Sequence, residues 1–238
     1  MDVMNKMFML ILFLLLASAV QAQADFFLEA EIFLDKYTKN GKVFYADIRK
    51  NPNDAENIKA LIEGYVLGGE DKQDLAFYLD AYNILVICSL SEVFPTASPQ
   101  KISGFFDKII HRVAGEKMSL HFLENEIIRA RFQDPRIHFA LVCGAKGCPP
   151  IRSAYLPQQL DDQLDNATRE AMNDDQFIRL DKRRQQLTIS EIFKWYKEDF
   201  GGSDEKLMEF INSYRDLPIP VHYKIWYYTY DWSINSPY

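Results

Sequence analysis

The sequence predicts an α+β protein, with helices packed around a small, mostly antiparallel sheet with hairpins and one central buried helix. Three observations predict it. From Leu75 to Leu90 the chain is apolar on nearly every side, the composition of a helix enclosed by the rest of the fold. Lys108–Val113 with Lys117–Leu120, and Gln176–Asp181 with Gln186–Ile189, alternate about turn residues and read as hairpins. Strands and helices do not follow one another in the repeated spacing of a parallel sheet.

Taken in order, Phe26–Tyr37 reads as a short amphipathic helix, followed by an extended piece from Gly41 through Tyr45. Asn53 with Glu56 forms a capping box for a helix whose stripe is Ile58, Leu61, Ile62 and Tyr65, ending at Gly68-Gly69. Asp71 is placed to cap the central helix, which runs from about Lys72 to Val93. Asp80 and Asn83 interrupt its apolar surface on one face, where a buried polar group needs a hydrogen-bonding partner. They either tie the helix to a neighbouring loop or belong to a site. After the first hairpin a helix runs from Ser119 or Leu120 through Arg131 and stops at Asp134-Pro135. Glu124 lies on it beside apolar neighbours.

Residues 137–142 alternate as a strand does. The helix that follows Leu156-Pro157 carries Leu160, Leu164, Ala167 and Ala171 as one stripe. Thr188 with Glu191 reads as a capping box for a helix over Ile192–Phe200, closed by Gly201-Gly202. Ser203 opens another helix, and Val221–Tyr230 alternates as a long final strand.

Composition narrows the function classes. With a net charge of −7, a pI near 5.2 and no basic stripe, nucleic acid and anionic membrane surfaces are poor partners. Residues 1–24 read as a signal peptide: Lys6 precedes an apolar run, Met7–Leu16, too short to span a bilayer, and small residues mark cleavage after Ala24 or Ala22. Residues 25–238 are then a single globular domain, periplasmic or secreted, with no stable membrane insertion after cleavage.

The stretch that marks a site is Arg136–Ile151, in which one histidine sits in an apolar run and Cys143 and Cys148 bracket Gly144-Ala145-Lys146-Gly147 before two prolines. A glycine-rich bend lets the backbone approach a ligand closely. Arg136-Ile-His-Phe-Ala-Leu-Val-Cys-Gly with Cys148-Pro-Pro resembles the signature of the domain-of-unknown-function 547 family. Leu75–Asn83, Ile192–Phe200 and Tyr230–Asn235 match it too, in the family's order, so that the resemblance covers about residues 70–235. The chain departs from the family in carrying Asp80 where Asn is more usual, and Glu124 occupies an acidic position of the signature. The family is defined without a function, so the resemblance implies none.

Two classes of function compete. The first is a hydrolase or acyl-transfer enzyme with a His-centred site at His138, with Glu124 and Asn83 as partners and the glycine loop's N–H groups as an oxyanion hole. In a thiol version Cys143 or Cys148 is the nucleophile. On an extended strand, however, His138 and Cys143 lie about 16 Å apart on opposite faces, so a dyad needs His111, His121 or His222 brought in by tertiary folding. Asn83 or Asp231 would then orient the base. In an exported chain Cys143 and Cys148 are more readily a disulfide pair, leaving Cys88 unpaired in its apolar helix. The second class is a non-catalytic peptide- or glycan-binding module of the cell envelope, its groove lined by the late aromatics Trp226, Tyr227, Tyr228, Tyr230 and Trp232. The partner expected is a small molecule, a peptide or a glycan. No cofactor is expected, and Cys143 and Cys148 with one nearby histidine do not complete a zinc site.

Overall fold

The structure is a computed structural model that describes residues 26–238, and the expected signal segment lies outside them. The fold is built on α4, Asp71–Val93, whose residues 74–88 are all buried, polar ones included. It is long and apolar enough to cross a membrane, but 89% of its apolar window is buried inside the protein. Its apolar surface is covered by the helix over residues 26–37 (α1), by α2 (Tyr45–Lys50) and by α3 (Pro52–Gly64). Phe77 stacks on Tyr65, 3.8 Å between ring centroids, and meets Phe26 edge-on.

The short hairpin β1 (Thr38–Lys39) and β2 (Lys42–Val43) separates α1 from α2. α3 starts earlier than its sequence suggests. Pro52 is its first residue, where a missing N–H costs nothing, and Asn51 rather than Asn53 precedes it. It also stops at Gly64, short of Gly68-Gly69. The hairpin β3 (Ile110–Val113) with β4 (Glu116–Ser119) follows α4, pairing in register with Ala114 and Gly115 at positive φ in the turn.

The helix after it is not uniform. Ser119 Oγ accepts the Phe122 N–H, opening α5 (Leu120–Phe122). The backbone then widens into a π-helix over Leu123–Arg129 before closing as α6 (Ala130–Phe132).

A second apolar cluster forms beside the first around α7 (Leu160–Asn173), α9 (Asp204–Tyr214) and a three-stranded sheet. In that sheet β5 (Ile178–Asp181) pairs antiparallel with β6 (Gln186–Ser190), and β6 pairs parallel with β7 (Lys224–Tyr228). Thr188 lies inside β6 and caps nothing. Ser190 Oγ accepts the Ile192 N–H at the start of α8 (Ile192–Trp195), and a 3₁₀ turn over Lys197–Phe200 ends in Gly201 at φ 94°.

The expected strand over 137–142 is absent. A 3₁₀ turn covers Pro135–Phe139, and the chain then runs irregularly to α7. A short apolar run cannot be assigned by periodicity alone. Here the run divides between two destinations: Phe139 packs into the second cluster, and Ile137, Ala140, Leu141 and Val142 into the first.

This irregular segment is held by side chains from helices. Asp80 Oδ1 accepts the Tyr155 N–H at 2.9 Å, and Gln163 bonds both Leu156 N and Ala154 O. Asp80 Oδ2 is buried and, among the described residues, has no hydrogen-bonding partner. Burial pushes the Asp80 carboxyl well above the usual carboxylate range, against the smaller lowering by the Tyr155 N–H. An acid whose folded pKa is raised is penalised as pH climbs through its unfolded value near 3.9 toward the folded one. Asp80→Asn removes that penalty. Thermal melts should show the variant more stable than the parent near neutrality, with the difference shrinking toward pH 4; a parent that is the more stable at pH 7 contradicts the raised Asp80 pKa.

Candidate functional site

The site lies where the two apolar clusters meet. Asp134 accepts the Arg136 N–H to start the 3₁₀ turn, and Arg136 is itself fixed by Asp134, Asp161 and Asp165. Asn83, fully buried on α4, then grips the next stretch with both ends of its amide. Its Nδ2 donates to Ala140 O at 2.9 Å, and its Oδ1 accepts the Val142 N–H at 2.8 Å. Cys143 and Cys148 are joined in a disulfide. Beyond it the loop lies against the C-terminal segment, with Lys146 N donating to Ser233 O and Gly147 N to Asp231 O.

These contacts frame a cavity of about 630 Å³. His138, Glu124, Arg129 and the disulfide line it, together with an aromatic wall of Trp195, Trp232, Tyr230 and Phe106. The wall is continuous: Trp195 and Trp232 stack with centroids 5.8 Å apart, and Tyr230 lies 4.9 Å from each.

The polar side is a chain of bonded charges. Arg129 donates from Nε and Nη2 to the two oxygens of Asp199, at 2.7 and 2.8 Å. His138 Nε2 lies 2.7 Å from Asp199 Oδ2. Burial would push the Asp199 carboxyl up, but the bonds from His138 and Arg129 outweigh it and hold the group well below the carboxylate range. Asp199 is therefore ionised near neutrality and can only accept, which makes His138 Nε2 the donor.

Tyr196 links this chain to Glu124. Its ring stacks on His138 at 4.0 Å, and its hydroxyl donates to Glu124 Oε1, while Tyr82 donates to Oε2 at 2.9 Å. Burial, reinforced by the Glu124 charge, pushes both phenols' pKa up and keeps them protonated as donors. Glu124 is thus fixed at both oxygens.

The π-helix is what puts Glu124 and Arg129 on this one cavity. Residues five apart on an α-helix diverge by about 140°. The i→i+5 pattern of a π-helix brings them closer to one face.

Of the residues expected at the site, His138, Glu124, Cys143 and Cys148 line the cavity, and Asn83 does not. Asn83 serves the loop-tying alternative, holding backbone from behind. Asp231 is exposed and bonds Ser233, so it orients no histidine. His121 reaches the rim bonded to Asn125, whereas His111 packs on β3 and His222 is exposed near Tyr223. In the glycine loop the N–H groups of Cys143, Lys146, Gly147 and Cys148 already donate to Cys148 Sγ, Ser233 O, Asp231 O and Ala145 O, so these four form no oxyanion hole. Among the described residues no three metal-ligating side chains come together.

Asp199, Arg129, Tyr196, Tyr82 and Trp195 were not among the expected site residues. Three of them lie in Ile192–Phe200, and Tyr82 lies in Leu75–Asn83, both segments quoted above for the family resemblance.

Fold and site together define an α+β protein with a histidine–carboxylate cavity walled by aromatic rings and a disulfide. Residues 68–170 match the model of a family described as Protein of unknown function, DUF547. The match takes in Tyr82, Asn83, Glu124, Arg129, His138 and both bridged cysteines, and ends before Trp195, Tyr196, Asp199, Tyr230 and Trp232. No curated protein and no solved structure matches the chain.

Removing the Asn83 amide strands the Val142 N–H and the Ala140 carbonyl in the core. Asn83→Ala should cost about 3 kcal/mol in urea unfolding; a loss below about 0.5 kcal/mol, the scatter of ordinary surface changes, contradicts the assigned role.

Proposed function

We propose that the cavity is a hydrolase-type active site in which His138, oriented by Asp199, takes a proton from water, and Glu124 orients the substrate beside it. The observation that carries this reading is the chain Arg129–Asp199–His138, which fixes the ring's tautomer at the edge of the cavity. A base oriented by a carboxylate and standing within reach of a substrate space is the minimum that water-mediated hydrolysis requires. With both cysteines in the disulfide no thiolate is available, so the reading uses water as nucleophile. The flat rings of Trp195, Trp232 and Tyr230 opposite a polar side suit a glycan or a peptide with an aromatic or sugar face. The disulfide is compatible with an oxidising compartment, so export to the periplasm or beyond belongs to the same proposal.

A second reading is favoured by one observation: the His138 side chain is only 2% exposed. An enclosed and satisfied histidine suits a non-catalytic module in which the aromatic wall alone binds a glycan or peptide. One experiment separates the two. A panel of fluorogenic esters, amides and glycosides is screened with the parent protein, then with His138→Gln and Asp199→Asn. The hydrolase reading expects turnover that falls by about 10²- to 10⁴-fold in His138→Gln, with a smaller loss in Asp199→Asn. Turnover unchanged in His138→Gln sinks it. Saturable binding without turnover, abolished in Trp195→Ala and retained in His138→Gln, selects the binding module.

A further inference from the structure

The Cys143–Cys148 disulfide is part of the cavity wall, and its two ends differ. Cys148 is 7% exposed and packed into the second apolar cluster. Cys143 is half-buried at the edge of that cluster, and both cysteines line the cavity. Tyr230 Oη lies 3.3 Å from Cys143 Sγ, and since a bridged sulfur has no proton the phenol is the donor. Burial pushes the Tyr230 pKa up, so it keeps that proton. On the other sulfur, the backbone N–H of Cys143 is aimed at Cys148 Sγ, with 2.9 Å between N and S.

The bridge is not what holds the loop in place. Asn83 grips Val142, Asn235 N donates to Gly144 O, and Lys146 and Gly147 donate to the C-terminal segment. Closing so short a loop also removes little entropy from the unfolded chain. The third cysteine, Cys88, is fully buried in α4. A cross-link in a loop that other contacts also tie down, less buried at Cys143 than at Cys148 and provided with a hydrogen-bond donor at each sulfur, is placed for chemistry.

We infer that this disulfide is an exchange site for low-molecular-weight thiols, with Cys143 the sulfur attacked and Cys148 the sulfur released. A thiolate entering the cavity bonds to Cys143 Sγ as the Cys143–Cys148 bond breaks. The electron pair leaves on Cys148 Sγ, where the Cys143 N–H receives it. Tyr230 polarises the attacked sulfur. One disulfide replaces another, so no oxidant is consumed, and return attack by Cys148 expels the thiol and restores the bridge. The cavity is within the usual volume range of small-molecule pockets, so a tripeptide-sized thiol fits it. An adduct on Cys143 occupies the space in front of His138, so the same exchange regulates access to the cavity.

The test uses the folded full chain with glutathione, quenched in acid and mapped by mass spectrometry without reduction. The expected result is adduct on Cys143 over Cys148 by about tenfold or more, as selective attack on one sulfur requires. Cys148 should become alkylatable in step with it, and Tyr230→Phe should slow adduct formation several-fold. Adduct chiefly on Cys148, or exchange only at the rate of global unfolding, overturns the proposal. Cys148→Ser with glutathione disulfide gives a second measure. Its free Cys143 should load in the folded state, and failure to load overturns the assignment too. Neither readout involves hydrolysis, so the outcome is independent of the reading of His138 as a base.

Discussion

Asn83 is the constraint on which the rest of this site depends. A 23-residue helix supplies an apolar surface but no means of fixing the irregular chain that crosses it. The segment after Phe139 has no sheet ladder to satisfy its backbone, and buried N–H and C=O groups must be paired. The Asn83 amide meets a donor and an acceptor two residues apart, which only one placement of Ala140–Val142 satisfies. That placement sends Phe139 one way and Leu141 the other, so the backbone runs along the seam between the two clusters. His138 sits one residue before the divergence, between Asp199 and the cavity.

Asp80 shows the same device three residues earlier on α4, fixing Tyr155 in place of Val142. The two polar residues are nearly one helical turn apart and hold two points of the long stretch between the 3₁₀ turn and α7. A polar group buried in this way is costly when unpaired and orienting when paired. The helix therefore acts as core and as template.

Much of the scaffold was legible in the sequence. Both hairpins, the buried helix, the stripe of α7 and the Ser203 start of α9 follow from alternation, helical spacing, capping and turn residues, which are local properties. The misreadings came where tertiary context decided. The apolar run at 137–142 looks like a strand, but its side chains divide between two cores, Phe139 in one and Ile137 with Ala140, Leu141 and Val142 in the other. Thr188 and Glu191 have the spacing of a capping box, but Thr188 is needed in β6, and Glu191 instead accepts the Tyr230 N–H. The π-helix leaves no periodic trace over seven residues, so the convergence of Glu124 with Arg129 was hidden. Asp199 follows Lys197 and Glu198 with no local signal of its own, and only its distant partners Arg129 and His138 reveal it. The bridged cysteines could be read from spacing because their loop is short and rich in glycine.

The account makes His138 the junction between a fixed carboxylate and an open cavity, and this reduces to the position of one proton. Long-range ¹H–¹⁵N correlation of the histidine rings, with His138→Gln used for assignment, locates it directly. The predicted result is a proton on Nε2, protected from exchange by the bond to Asp199. A ring protonated on Nδ1 alone, or an Nε2 proton exchanging as freely as in an exposed histidine, would contradict the arrangement.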